Sequence, residues 1–123
     1  MCKILLSINP EYVDKIFNGT KQYEFRKVGC KRTVNKIVIY STAPVKKIVG
    51  EATVEKILSG EPDKVWELTK KKAGIDSEFF YNYYSGRQKA IAYKLGQIEI
   101  YDSPKDLEYY NINVAPQSFM YLD

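Results

Sequence analysis

Hydrophobic and polar positions along this 123-residue chain switch between two periods, and the switches mark out its elements. Residues 3–8 form a short apolar run, which reads as a strand. Asn9-Pro10-Glu11 then has the form of a helix start: a capping side chain, a proline at the first helical position and an acid in the first turn. Tyr12, Val13, Ile16 and Phe17 follow at helical spacing. Asn18-Gly19 stops the helix, because glycine adopts left-handed backbone at little cost. From Lys21 to Lys27 the pattern alternates. Tyr23 and Phe25 fall on one face, and Gln22, Glu24 and Arg26 on the other. Lys21 shares the aromatic face by parity, but it sits at the mouth of the strand.

Lys36 to Ser41 predicts a further strand, ended by Ala43-Pro44. Lys47 to Leu58 predicts a long one, in which Gly50 marks a bulge or a close backbone approach. Glu61-Pro62-Asp63 starts a helix that ends in Lys70-Lys71-Lys72, cations suited to a helix carboxyl end. Asp76 caps a second short helix over Ser77 to Tyr84. Its aromatics Phe79, Phe80, Tyr81, Tyr83 and Tyr84 are mostly core, with one or two left to line a pocket. Lys89–Leu95 and Gln97–Tyr101 alternate as strands around a turn or bulge at Gly96. Ser103 to Leu107 reads as a short capped turn or helix, and Gln117 to Leu122 as a last strand. About six strands, with three to four short helices clustered in two places, predict a mixed α+β fold: a small barrel rather than a βαβ sheet. Without repeat, linker or low-complexity tract, residues 1–123 read as one domain.

Composition narrows the chemistry. Hydrophobic residues at 45% and charged residues at 28% suit a soluble globular protein. No apolar run approaches the roughly 20 residues of a membrane span. The chain has no histidine. That excludes Ser-His-Asp and Cys-His machinery and the usual His-containing zinc site, so acid/base work falls to Glu, Asp, Lys, Tyr or a retuned Cys. Cys2 and Cys30 match no metal or redox spacing. With no export signal recognised, they point to a reducing cytoplasm. No metal site or cofactor motif is expected. The net charge of +4 hides an uneven distribution. Lys21 to Gly50 is strongly basic, with Glu24 its one acid, and the stretch from Gly96 onward is acidic. One side of the molecule is therefore expected to attract polyanions.

Three clusters could carry function. In Gly19-Thr20-Lys21-Gln22-Tyr23-Glu24-Phe25-Arg26, a glycine turn delivers Lys21, Glu24 and Arg26 to one strand start. Such a trio binds the donor/acceptor edge of a nucleobase or a small anion; it is equally the composition of a plain ion-pair cluster. Tyr40, Ser41 and Thr42 place hydroxyls at a strand end beside a proline turn. Arg87 and Lys89 follow the aromatic helix, and aromatic beside basic suits base stacking and phosphate contact.

Together these blocks resemble the ASCH domain superfamily, whose fold is PUA-like. Leu6-Ser7-Ile8-Asn9-Pro10-Glu11-Tyr12 is similar to that family's opening strand and helix entry. The Gly19-to-Arg26 segment is similar to its G-x-K-x-x-E-x-R signature. Val38 to Pro44, Ile48 to Glu51, Tyr83 to Gly86 and Ala90 to Tyr93 resemble later blocks, so the match runs nearly end to end. The resemblance implies a cleft beside the signature and a role in RNA or modified-nucleobase recognition. By carry-over, Lys21, Glu24 and Arg26 line that cleft and Ser7, Tyr40, Ser41 and Thr42 its rim, with Arg87 and Lys89 as candidates for its far wall; in a base-binding module, Tyr40 or Tyr84 is expected to stack on the base. The partner implied is RNA or a modified nucleotide or nucleoside, with no membrane involved. One enzymatic branch, the acetylcytidine amidohydrolases, has a threonine nucleophile three residues after the same lysine. Glu24 stands there in this chain, which removes that hydroxyl, and Thr20 is four positions away. Recognition is thus expected ahead of catalysis. The alternatives are a small hydrolase (nucleoside amidohydrolase or ribonuclease) with Lys21 and Glu24 as acid/base groups, and a protein-interaction module.

Overall fold

A computed structural model describes residues 2–122; Met1 and Asp123, the outer ends of the first-strand stretch and of the acidic C-terminal stretch, lie outside the described residues. The elements run β1 (Lys3–Ile8), α1 (Pro10–Phe17), β2 (Tyr23–Arg26), β3 (Lys36–Ser41), β4 (Lys47–Gly60), α2 (Pro62–Thr69), α3 (Ser77–Tyr83), β5 (Ala90–Lys105) and β6 (Phe119–Tyr121). Short 3-10 turns follow α2 at Lys70–Lys72 and β5 at Leu107–Tyr110. The caps form where the sequence puts them. The Asn9 side chain accepts from the Glu11 amide, and the Asp76 side chain from the Phe79 amide.

The strands form one six-stranded sheet in the order β2-β5-β4-β3-β1-β6. Only β1 and β3 pair in parallel. The sheet curls into a half-barrel of the PUA-like kind, with β2 and β6 as its edges. Its curvature lies in β4 and β5, whose register slips three times along their length, and each slip adds local twist and bend. One slip takes Ala52↔Ile98 to Val54↔Leu95, so Gly96 lies in a bulge. The two strands expected around it are therefore one strand. The turn expected at Ser103–Leu107 begins only after β5 ends at Lys105. Gly50 is a close-approach site, since an added Cβ would lie 2.9 Å from the Phe17 ring. No helix among the described residues is long and apolar enough to cross a membrane.

Period-2 alternation divides the apolar side chains between the two faces of the sheet. Ile4, Leu6, Ile8, Ile37, Ile39, Ile91, Tyr93 and Leu95 cluster with Val13 and Ile16 of α1 on one face. On the other face, Phe25, Ala90 and Ala92 pack against Val65 of α2 and Phe80 and Tyr84 of α3. Leu5, Val38, Tyr40 and Ile48 pack against the C-terminal segment around Ile112. The helices that flank β2 thus approach it from opposite faces, and that arrangement forms the site.

Candidate functional site

A cleft of about 190 Å³ lies at the free edge of β2. It is lined by Ser7, Ile8 and Asn9 from the end of β1, by Tyr12 of α1, by Lys21, Glu24, Phe25 and Arg26, and by Ile75, Phe79 and Tyr83 around α3. Because β2 is an edge strand, residues from both of its faces reach the opening. Glu24 pairs with Tyr93 and Arg26 with Ile91, which puts both charges on the face of the α1 cluster, whereas Phe25 pairs with Ala92 on the face packed by α2 and α3. Tyr12 and Phe79 meet edge-on with ring centroids 5.8 Å apart. The volume holds about six waters at liquid density, enough for one small planar ring.

The three signature charges play unequal parts. Arg26 donates to Glu24 Oε2 from Nε at 3.1 Å and from Nη2 at 2.8 Å, and Nη2 also donates to the Ser7 carbonyl at 2.9 Å. The guanidinium therefore clasps the carboxylate and ties β2 to β1. Glu24 is 7% exposed. Its other oxygen, Oε1, has no hydrogen-bond partner among the described residues; none of their buried polar side-chain atoms is unpaired, so Oε1 is open to the cleft.

Lys21, 3% exposed, is held from the other side of the molecule. Its Nζ donates to the Ala73 carbonyl at 2.9 Å and lies 5.4 Å and 5.0 Å from the Tyr12 and Phe25 ring centres. The Gln22 amide donates to the Lys72 carbonyl at 2.8 Å, and Lys15 Nζ to the Gly74 carbonyl at 3.2 Å. These carbonyls form the negative end of α2 and its 3-10 extension, so Lys15 and Lys21 supply cations that a helix carboxyl end attracts. Lys21 and Glu24 form no ion pair within 4.0 Å.

Burial pushes the Lys21 ammonium below its ordinary 10.5; Glu24 opposes this, and Lys15 and Arg26 add to it. In the window between the folded value and 10.5 the unfolded chain binds more protons than the folded one, so stability rises with pH there. Lys21→Met should remove that rise. The stability difference, wild type minus variant, should grow with pH up to 10, at no more than about 1.4 kcal/mol per pH unit. Urea unfolding of both proteins between pH 7 and 10 measures it, and parallel curves would contradict this account of Lys21.

The other sequence-predicted residues are dispersed. Ser7 lines the cleft through its backbone; its hydroxyl donates to the Pro116 carbonyl at 2.8 Å. The cause is pairing: Ser7 sits opposite Tyr40 in the parallel β1–β3 ladder, and Tyr40 packs into the cluster around Ile112. Tyr40 therefore faces away from the cleft. Ser41 is buried at the strand end, and Thr42, whose amide donates to the Ile8 carbonyl, does not line the cleft. Stacking by Tyr84 is corrected outright. It is 2% exposed, and its hydroxyl donates to the carbonyls of Arg26 and Ile91. Arg87 is exposed in a separate groove beside Glu61, Asp63 and Tyr81, and the exposed Lys89 does not line the cleft.

The sequence pattern does not single out the aromatic walls of the cleft. Tyr12 lay in the helical repeat, and Phe79 and Tyr83 in the aromatic cluster expected to leave one or two rings for a pocket. The charge asymmetry is also softened in space. Lys47 of the basic stretch pairs with Asp106 of the acidic one, and Lys36 pairs with Glu51 at 3.4 Å, so part of the basic charge is neutralised. Beside the cleft, the exposed Lys27 lies 4.7 Å over the Tyr83 ring. No group of three or more Cys, Asp or Glu among the described residues could hold a metal ion.

Comparison with known proteins places the chain. A family model described as "Domain of unknown function (DUF365)" matches residues 1–120. Two curated proteins of Ureaplasma parvum serovar 3, an ATP synthase subunit alpha and a large ribosomal subunit protein uL22, are each 32% identical over 120 residues, or 97% of this chain. The chain spans 15% of the first and 39% of the second, so the likeness is to a part of each. A Zymomonas mobilis protein named "ASCH domain-containing ribonuclease" is 32% identical over 92 residues, covering 74% of this chain and 62% of that protein. The crystal structure of ASCH from Zymomonas mobilis superposes with a TM-score of 0.88 at 28% identity, covering 98% of this chain and 87% of that one. The chain belongs to the family described as Domain of unknown function (DUF365), and its fold is that of an ASCH domain.

Proposed function

We propose that this domain binds RNA, taking one unpaired base of a single strand into the cleft at the edge of β2. The observation that carries the reading is the convergence of Lys21, Glu24 and Arg26 on a small cleft walled by Tyr12, Phe25, Phe79 and Tyr83. Polar groups at the base of an aromatic slot are what a flat heterocycle with hydrogen-bonding edges requires. The relative named as a ribonuclease supports RNA as the class of ligand. Lys21 and Arg26 are largely committed to carbonyls and to Glu24, so phosphate contacts fall to exposed cations such as Lys27.

Phe79 is 45% exposed, so its removal tests the slot with little effect on folding. Phe79→Ala should weaken binding of a labelled single-stranded RNA hexamer by about 1–3 kcal/mol. Wild-type affinity should also fall as salt rises, through release of counterions from the strand. Unchanged affinity in Phe79→Ala would remove the base from this cleft.

Cleavage of the bound strand is the second reading, favoured by the name of the Zymomonas relative. Without histidine, the proton of a 2′-hydroxyl would pass to Glu24 Oε1 as the 2′-oxygen attacks the adjacent phosphorus, and the Lys21 ammonium would give a proton to the departing 5′-oxygen as its bond to phosphorus breaks. Incubating the same hexamer with wild type and with Lys21→Ala separates the two readings. Products from the wild type alone establish cleavage that needs Lys21; an intact strand leaves recognition.

A further inference from the structure

Arg26 holds only one of the two Glu24 oxygens. Two of its donors converge on Oε2, so the carboxylate cannot rotate without losing both hydrogen bonds. Oε1 is left as a fixed acceptor in the cleft, on a side chain that is itself only 9% exposed. A carboxylate oxygen accepts and never donates. Across the same cleft, Lys21 uses one of its three donors on Ala73. The cleft lining therefore offers one acceptor oxygen on Glu24 and the two remaining donors of Lys21, held more than 4.0 Å apart beside aromatic walls.

We infer that the cleft selects nucleobases carrying an exocyclic amine: the amine donates to Glu24 Oε1, and a neighbouring ring nitrogen or carbonyl accepts from Lys21. This inference rests on the proposed reading of the cleft as a base pocket, and it names the class of base. A base that presents no N–H to Oε1 leaves a buried charged acceptor without its water and without a replacement. The same arrangement disfavours a free phosphate or carboxylate, which would face Oε1 with a second negative charge.

The test removes one amine and changes nothing else. Cytidine is compared with its 2-pyrimidinone riboside, which lacks the 4-amino group, and adenosine with purine riboside, which lacks the 6-amino group. Each competes against the labelled RNA hexamer on the wild-type protein. The amine-bearing nucleoside of each pair should compete about tenfold better. In Glu24→Gln the Arg26 donors hold the amide oxygen and turn its NH2 into the cleft, so the ratio should fall to about one, donor then facing donor. Equal competition within both pairs on the wild type, or no competition by any nucleoside, overturns the amine selectivity, and neither depends on the variant folding. If Phe79→Ala binds the hexamer as tightly as wild type, the base pocket itself fails and the inference with it. Loss of affinity in Phe79→Ala beside equal competition leaves the pocket standing and removes only the selectivity.

Discussion

Arg26→Ala is expected to lower folding stability by about 3–5 kcal/mol, the usual cost of breaking a buried ion pair by removing one partner. Both side chains are largely out of water, at 14% exposure for Arg26 and 9% for Glu24. The substitution leaves the Glu24 carboxylate without either hydrogen bond to Oε2, and it cuts the link from β2 to the Ser7 carbonyl. Arg26→Lys keeps the charge, but an ammonium is a point donor and cannot reproduce the guanidinium fork, so a loss of about 1–3 kcal/mol remains. The double variant Arg26→Leu/Glu24→Leu should recover most of the Arg26→Ala loss, because no charge is then left unpaired. Chemical denaturation of the three variants decides the point. A double variant as unstable as Arg26→Ala would assign the cost to lost packing rather than to the abandoned carboxylate.

Gly74→Ala should be costly for a different reason, at about 2–4 kcal/mol. Gly74 has φ +72°, and a Cβ there would overlap the Lys21 side chain at Cβ, at Cγ (2.6 Å) and at Cδ (3.0 Å). The overlapped atoms are the root of the Lys21 side chain, so relief requires backbone movement of either the Lys21 turn or the 73–74 segment. Gly86 is the internal control. Its φ is +77°, yet a Cβ there meets nothing within 4 Å. Gly86→Ala should therefore cost only the backbone part, about 1 kcal/mol. The difference between the two variants isolates the seat of Lys21. RNA affinity should fall in Gly74→Ala and hold in Gly86→Ala, because only the first displaces a cleft residue. Equal losses of stability in the two would show that the seat of Lys21 contributes nothing.

Much of the fold was legible because its signals are local. The caps Asn9 and Asp76 and the prolines that open α1 and α2 act within a few residues of themselves. Glu24 and Arg26 share a face through strand parity alone, so their union at one cleft could be read from the chain. The errors share another origin. Parity states which residues of a strand point together but not toward which layer. The family resemblance implies Tyr40 on the rim, and its place in a strand does not say which layer it faces. The parallel pairing of β1 with β3 turns it, with Ser7 and Val38, toward the C-terminal segment. Tyr84 sits one turn from Phe80 and follows it into the core, while Phe79 and Tyr83, one turn apart on the neighbouring face of the same short helix, reach the cleft. Helical spacing separates those faces without saying which meets protein and which meets solvent.

By itself, the sequence determined the order of the elements, the glycine stop ahead of the signature, the common face of Glu24 and Arg26 and the exclusion of histidine chemistry. Each follows from periodicity, capping or composition, which depend on neighbours along the chain. Only the tertiary structure decided what those charges can do. It seated Lys21 on a helix carboxyl end 52 residues away at Ala73, locked one Glu24 oxygen with Arg26 and left the other open between aromatic walls. Contacts of that kind depend on which distant segments the curled sheet brings together, and local pattern carries no record of that distance.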